Sequence, residues 1–290
     1  LVLGQLAEVY AGQERFEDAV RMLEQALERK PGDTQLLESL GTAHVQGGDR
    51  DGARDAWLRI VATGKQTYST HQRVAHLLKQ HGFYEDAATH YSAAIALQPR
   101  VAYLYTQLAD IHKIQGDTAG ALTVFVKSLL TLGMAPAARA PVLTAIAELY
   151  PAKDAARAYD DMGAVVRREA GGTDVTAPTA LLTLAEARFM ARDYDGSLVW
   201  FERLAATASD DGVAMALYAR NLEDRRDNAA AEKFYAALLR AHPQGKGVAA
   251  WWLSRGRAVE RLGNHHDAVS HYRAAIAADP ARMQASTSDV

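Results

Sequence analysis

The 290-residue sequence contains no cysteine. This absence excludes disulfide bonds, thiolate zinc sites and a cysteine nucleophile. It also removes the hazard of thiol oxidation, which suits a protein of an oxidising compartment.

An excess of positive charge is missing as well. Lys and Arg number 32 against 35 Asp and Glu, for a formal net charge of -3, whereas proteins that bind nucleic acid through its phosphates carry a basic surplus. Charged residues interrupt every hydrophobic stretch, so no segment reaches the roughly 18 apolar residues of a membrane-spanning helix. We therefore expect neither a nucleic-acid partner nor a membrane span in this segment.

No group of residues has the local spacing that catalysis or metal binding requires. Among the ten histidines, His71 and His76 are five positions apart, which places them on different sides of a helix. The phosphate-binding pattern G-x-x-x-x-G-K-[ST] is absent, and Gly245-Lys246-Gly247 is better explained as a loop. We expect a non-catalytic protein that has no cofactor and no metal site.

What the sequence does contain is a repeat of 34 residues. It is clearest in an alanine that recurs at this period and in a large apolar residue four positions after it. The alanines are Ala19, Ala53, Ala87 and Ala121, and the large residues are Leu23, Trp57, Tyr91 and Phe125. The pattern resumes at Ser197 and Ala231, and it returns after three inserted residues at Ala268. A fixed period of this length indicates stacked structural repeats.

Each period predicts two antiparallel helices. The apolar residues at the start of the first period have the i, i+3, i+4, i+7 spacing of one helical stripe. They are Leu3, Leu6, Ala7 and Tyr10. A glycine-containing turn, as at Gly47-Gly48-Asp49, separates this helix from a second one. Asp49 and Asp117 are the expected N-caps of second helices.

These residues resemble the tetratricopeptide repeat, whose signature reads W-x2-L-G-x2-Y, then A-x3-F, then P. In the last period the matching residues are Trp252, Gly256, Ala268, Tyr272 and Pro280. The resemblance covers residues 1–280 and includes seven clear units. It implies an all-α fold: an α-solenoid superhelix of about eight helical hairpins with a concave inner wall.

The repeats divide the chain into four segments. Residues 1–135 hold four regular units, 136–177 a degenerate unit and a loop, 178–280 three units, and 281–290 a tail or linker. In the degenerate segment we expect helix breaks at Pro136 and Pro141 and a flexible loop at 170–174. This segment either bridges two regular arrays or acts as a hinge or partner-contact loop.

The resemblance also implies a partner-binding surface, formed by first-helix residues that lie outside the packing stripe. In the third and fourth units these are Gln72, Arg73, His76, Lys79, Tyr103, Gln107, Asp110 and Lys113. In later units they are Glu186, Arg220 and Arg257. This mixture suits peptide backbone and acidic side chains, and it is equally what a solvated helix face contains.

Some members of the family hold a C-terminal carboxylate with Lys and Asn at set inner positions. The matching positions in the first two units are occupied by Gly4, Glu8, Ser39 and Thr42. Because none of these supplies a cation, we do not expect a carboxylate clamp for a chaperone tail.

The resemblance implies a non-catalytic scaffold that binds a protein or peptide segment in its concave groove. The alanine- and arginine-rich repeats resemble bacterial ones, which suggests bacterial envelope or exopolysaccharide secretion and slightly favours the periplasm over the cytoplasm. An alternative is a regulatory or substrate-recruiting arm of a larger enzyme, such as a glycosyltransferase or sulfotransferase. A third hypothesis, direct carbohydrate binding, requires exposed inner aromatic residues, for which Tyr103 and Phe189 are the candidates.

Overall fold

The chain is helical throughout the part that the structure describes. The computed structural model describes residues 2–133, 135–172, 175–207 and 212–279. No strand occurs among these residues, which confirms the prediction of an all-α fold. The predicted tail at 281–290 lies outside the described residues.

The helices fall into two compact units, Leu1–Ser128 and Leu129–Val290. The helices that begin in the first unit are α1 (Val2–Gly12), α2 (Phe16–Arg29), α3 (Thr34–Gln46), α4 (Arg50–Thr63), α5 (Tyr68–Gln80), α6 (Tyr84–Leu97), α7 (Ala102–Ile114) and α8 (Thr118–Leu132). Those of the second unit are α9 (Pro136–Glu148), α10 (Ala155–Glu169), α11 (Pro178–Met190), α12 (Tyr194–Ala205), α13 (Val213–Asp224), α14 (Asn228–Ala241), α15 (Val248–Arg261) and α16 (His265–Ala278). A short 3-10 helix, Ala152–Asp154, precedes α10.

Helices that are neighbours in sequence pack against one another within each unit. From α1 to α7 every helix contacts the next, and the same holds from α9 to α12 and from α13 to α16. A helix inside such a run thus contacts both its predecessor and its successor. This is the packing of a helical-repeat array, as predicted.

In seven of the described hairpins, a small residue of the first helix lies sixteen positions before a large residue of the second. A Cβ atom added to Gly41 would lie 2.1 Å from the indole nitrogen of Trp57, and one added to Gly256 would lie 2.6 Å from the ring of Tyr272. The same spacing separates five further buried pairs, which are Ala7 and Leu23, Ala75 and Tyr91, Ala109 and Phe125, Ala185 and Phe201, and Ala219 and Tyr235. The small residue lets the two backbones approach while the large side chain fills the space beside them.

The turn inside a hairpin requires one residue with left-handed backbone dihedral angles. This residue is Gly48, Gly82, Gly116 or Gly263 in four hairpins, and Glu14, Arg192 or Arg226 in three others. Glycine adopts a positive φ without a Cβ clash, whereas the other three residues adopt it with some strain.

Aspartates cap the second helices where the sequence predicts them. Asp49 accepts a hydrogen bond from the Gly52 N–H at 2.9 Å, and this bond lowers the pKa of the Asp49 carboxyl group. The second carboxylate oxygen lies 2.8 Å from Nδ1 of His44. The same contacts recur around Asp117. The N-cap prediction is confirmed, and His44 has a structural role.

The degenerate segment is more helical than the sequence indicates. α9 begins at Pro136, a position where proline is favourable because its missing N–H would have no partner. Pro141 lies inside α9, so the predicted helix break at this residue is wrong. Pro141 removes only one hydrogen bond, near the start of α9. The helix persists because Leu143 and Ile146, which follow Pro141, are buried. Gly171 and Gly172 of the predicted loop have positive φ angles of 89° and 127°; residues 173 and 174 of the loop lie outside the described residues.

We predict that Gly41→Ala lowers the free energy of unfolding by about 1 to 3 kcal/mol, because the new methyl group overlaps the fully buried Trp57 ring. Gly12→Ala is the matched control, since a Cβ atom there has no neighbour within 4 Å. Urea unfolding of both variants checks the prediction. Equal stability of the two variants would contradict it.

A pair of histidines lies between the helices of the third hairpin. Nδ1 of His71 is 3.0 Å from Nδ1 of His90, and His71 is only 8% exposed. Burial lowers the pKa of both imidazoles, and the charge of His71 lowers the pKa of His90 further, whereas Asp86 acts in the opposite direction. His76, in contrast, is exposed and bonds to Gln80. His71 and His76 therefore lie on different sides of α5, as predicted.

We predict that the histidine pair makes folding stability fall as the pH is lowered from about 7 to about 5. In this range the unfolded chain takes up protons at its ordinary histidine pKa, whereas the buried pair resists protonation because its pKa values are lowered. Unfolding of His90→Gln, measured as a function of pH, should show a weaker dependence than the unaltered protein. His76→Gln, which changes an exposed histidine, should keep the original dependence.

Candidate functional site

Residues that the sequence places on the inner faces of α5 and α7 lie together in the structure. Nζ of Lys79 is 2.9 Å from Oε1 of Gln107 and 3.3 Å from Oδ2 of Asp110. Lys113 lies 3.9 Å from the other oxygen of Asp110, and Tyr103 is 45% exposed. We call these five residues the α5–α7 cluster.

Other α5 residues connect the α5–α7 cluster to α3. Arg73 donates a hydrogen bond of 2.6 Å to Glu38 of α3, and its side chain is more than half exposed. Gln72 is half-buried and His76 is exposed. All eight predicted residues of the first unit thus lie on two neighbouring first helices, and Arg73 extends the set to a third.

A cavity of about 790 Å³ lies between α1 and α3 in the first unit. Its polar lining includes Glu8, Asp33, Glu38, Ser39, Thr42 and Arg73. The sequence identified Glu8, Ser39 and Thr42 only as positions that depart from a carboxylate clamp. The same repeat alignment could have identified the cavity, because these positions are equivalent to the inner residues of α5 and α7. We call the cavity together with the α5–α7 cluster the first-unit surface.

In the second unit Arg220 and Arg257 are exposed and occupy equivalent positions, 37 residues apart. Tyr235 donates a hydrogen bond of 3.2 Å to Glu223, close to Arg220. Burial raises the pKa of Tyr235 to about 12, with Arg220 acting in the opposite direction. The same arrangement recurs around Arg257. These two arginines are surface residues, as expected from the sequence.

Glu186 requires a correction. The sequence places it on an exposed inner wall, but in the structure it is 1% exposed. Its carboxylate lies 2.5 Å from the guanidinium of Arg139, which is fully buried. Tyr218 donates a further hydrogen bond of 2.9 Å to Glu186. Phe189 is also buried, with 2% exposure, which removes it from the aromatic residues available to a carbohydrate.

The buried ion pair joins the degenerate hairpin to the next repeat. Arg139 of α9 has three hydrogen-bond acceptors in addition to Glu186. They are the carbonyl oxygens of Leu129 and Gly133 and the hydroxyl group of Thr183 in α11. A buried charge pair is tolerated when its remaining hydrogen-bonding groups are also satisfied. Glu186 therefore has a structural role and is left out of the binding surface that we propose.

We predict that Arg139→Met lowers the free energy of unfolding by about 3 to 5 kcal/mol, because it leaves the Glu186 carboxylate buried without its partner. The double variant Arg139→Met, Glu186→Leu should be more stable than this single variant, since neither charge remains in the core. Urea unfolding of both variants checks the prediction. A double variant as unstable as the single one would contradict it.

The described residues offer noncovalent binding groups. Among them, no group of three or more His, Cys, Asp or Glu residues is arranged to hold a metal ion. Within the same ranges, every helix is too short or too polar to cross a lipid bilayer. The first-unit surface combines hydrogen-bonding and ion-pairing side chains with small and apolar residues of the cavity, such as Ala7, Ala11 and Leu23.

Successive antiparallel helix pairs with a 34-residue period and polar first-helix faces define a helical-repeat scaffold. A family model described as "Tetratricopeptide repeat" matches residues 5–68, 75–152 and 218–282, which is more than half of the chain. The chain belongs to the tetratricopeptide repeat family. It is thus a repeat scaffold of the kind that mediates protein interactions.

Several solved structures resemble the chain at low sequence identity. MamA is 15% identical, with 65% of this chain and 96% of MamA covered and a TM-score of 0.33. PilF of Pseudomonas aeruginosa is 17% identical, with 84% and 92% covered and a TM-score of 0.32. A tetratricopeptide repeat protein of Parabacteroides merdae is 13% identical, with 94% and 97% covered and a TM-score of 0.37. These similarities carry no argument about a ligand. A comparison with curated protein sequences gives no match.

Proposed function

We propose that the chain is a non-catalytic scaffold whose first-unit surface binds an extended segment of a partner protein. The observation that carries this proposal is the α5–α7 cluster, in which side chains from separate repeats meet and remain partly exposed. Arg73, on the same helix as Lys79, pairs with Glu38 and lines the cavity, so polar side chains of the first-unit surface occur on α1, α3 and α5 as well as on α7.

The chemistry of the first-unit surface favours polypeptide over a simple ion. Lys79 and Lys113 both pair with Asp110, and Arg73 pairs with Glu38. The surface carries both donors and acceptors, and polypeptide backbone presents both kinds of group at nearly every residue. Arg220 and Arg257 of the second unit are further partner contacts in this proposal.

The setting that we propose is an assembly of the bacterial envelope, such as exopolysaccharide secretion. This part of the proposal is supported by the resemblance of the repeats to bacterial ones.

We predict that a library of random dodecapeptides displayed on phage, selected on the intact chain, yields binders that require the first-unit surface. Arg73→Glu and Lys113→Glu should each weaken these peptides by about tenfold or more, because reversal places like charges beside Glu38 and Asp110 and removes a cation from the surface. Fluorescence anisotropy with the individual synthetic peptides measures the affinity, and circular dichroism verifies folding.

Arg59→Glu is the matched control for these charge reversals. Arg59 also pairs with a glutamate of the preceding repeat, Glu24, at 2.8 Å, but both residues lie on second helices. This variant should bind the peptides as the unaltered protein does. Peptides that bind the Arg73 and Lys113 variants with unchanged affinity would refute the first-unit surface as the binding site.

A further inference from the structure

Two exposed arginines of the second unit differ from the cations of the first-unit surface. Arg220 of α13 and Arg257 of α15 occupy equivalent positions, and neither side chain forms an ion pair or a hydrogen bond with another described residue. In the first unit, Lys79 and Arg73 both pair with carboxylates of neighbouring repeats. The second unit thus presents positive charge that its own described residues do not neutralise.

An ion pair between α13 and α15 places these arginines side by side. Arg261 of α15 lies 3.3 Å from Glu223 of α13. Arg220 precedes Glu223 by one helical turn, and residues three or four positions apart lie on the same side of a helix. Arg257 precedes Arg261 by one turn in the same way. Two neighbouring cations repel each other, and an anion between them would relieve this repulsion.

The carboxylates nearest to the two arginines are engaged in other contacts. Glu223 and Glu260 each accept a hydrogen bond from a tyrosine of the following helix, and Glu223 also pairs with Arg261. Asp224 lines a cavity whose cations are Arg226 and Arg261. The anion that the two arginines require is therefore not supplied by any of these residues.

An apolar layer lies one helical turn before the arginines. Leu217, which is 44% exposed, precedes Arg220 by three residues. Leu253, which is half-buried, precedes Arg257 by four residues. One turn of helix separates the two layers by roughly 5 Å. We call these four residues the second-unit surface.

We propose that the second-unit surface binds an acidic and apolar stretch of an extended partner segment, with one Asp or Glu side chain held between Arg220 and Arg257. Guanidinium groups recognise carboxylates through paired, charge-assisted hydrogen bonds. This inference rests on the proposed function, in which the two arginines are partner contacts, and it specifies the chemistry of the segment that they bind.

The spacing of the two layers predicts a short sequence pattern in the partner. In an extended segment, alternate side chains lie on the same face and are about 7 Å apart. An apolar residue two positions from the acidic one therefore reaches Leu217 and Leu253. A carboxylate fits this surface better than a phosphate group, because Glu223 and Asp224 lie one turn away and repel a second negative charge.

Peptide selection on a variant that lacks two first-unit cations tests the proposal. Random dodecapeptides displayed on phage are selected on the double variant Arg73→Glu, Lys113→Glu. Peptides that also bind the double variant Arg220→Ala, Arg257→Ala are then removed. We expect the remaining peptides to contain Asp or Glu two positions from Leu, Ile, Val, Met or Phe. Each peptide is synthesised with an amidated C-terminus, so that its only carboxylates are side chains.

Charge reversal measures the contribution of each layer. Arg220→Glu and Arg257→Glu should each weaken the peptides by about tenfold or more, because a like charge then meets the peptide carboxylate. A peptide with Lys in place of its acidic residue should bind Arg220→Glu more tightly than the original peptide does. Leu217→Gln should weaken binding by about fivefold, since an apolar contact is lost. Fluorescence anisotropy measures the affinities, and circular dichroism verifies folding.

Arg273→Glu is the matched control. Arg273 is also exposed and has no ion-pair partner among the described residues, but it lies on α16, a second helix. Both reversals change the net charge of the protein equally, so a nonspecific effect of charge would appear in both variants. Binding to Arg273→Glu should be unchanged. A peptide whose apolar residue is moved by one position, onto the opposite face of the segment, should bind as weakly as the original peptide binds Leu217→Gln.

Four outcomes overturn the inference. They are a selection that yields no peptide requiring Arg220 and Arg257, a set of selected peptides without acidic residues, equal loss of affinity in Arg273→Glu and Arg220→Glu, and tenfold tighter binding when phosphoserine replaces the acidic residue. Peptides that depend on Arg73 and Lys113 would support the first-unit surface in each of these cases. Failure of the second-unit surface is therefore distinguishable from failure of the proposed function.

Discussion

The contact between a small residue of the first helix and a large residue of the second is the constraint on which the structure depends. It brings two backbones so close together, as at Gly41 and Trp57, that a single methyl group does not fit. Because this contact recurs at the repeat period, the regular hairpins acquire nearly the same geometry. The next hairpin then meets a surface of the same shape, and stacking continues along the chain.

This packing also determines which residues remain available for binding. The stripe of each first helix that faces its own hairpin is occupied by apolar side chains, while another face carries polar ones such as Arg73 and Lys113. Side chains on such faces reach their neighbours across repeats, as Lys79 reaches Asp110. Residues far apart in sequence thereby form one polar surface without any change to the hydrophobic core.

The fold was predictable because its determinants are periodic. Individual residues at fixed spacings in the sequence reveal these determinants. They are the 34-residue period, the small and large packing residues, and the capping aspartates. The residue type of Glu14 did not predict its left-handed backbone conformation, because glutamate rarely adopts a positive φ. Glu14 nevertheless lies one full repeat period before Gly48, which has the same conformation. The repeat alignment placed Arg73 and Lys113 on the surface correctly.

The site was less predictable, because its exceptions depend on contacts between different repeats. Glu186 occupies an inner-wall position by alignment, and only the three-dimensional structure shows that Arg139 covers it. Tyr91 matches the large residue of the repeat, so the sequence explains its ring but not its hydroxyl.

The burial of Arg139 limits how freely this array can be rearranged. Repeat proteins gain and lose units readily when each unit interacts with its neighbours through interchangeable apolar faces. Here the irregular hairpin supplies the positive charge that α11 requires, so its removal would leave a carboxylate isolated in a hydrophobic interior. We therefore expect deletion or duplication of hairpins to be better tolerated among the regular repeats than at this junction.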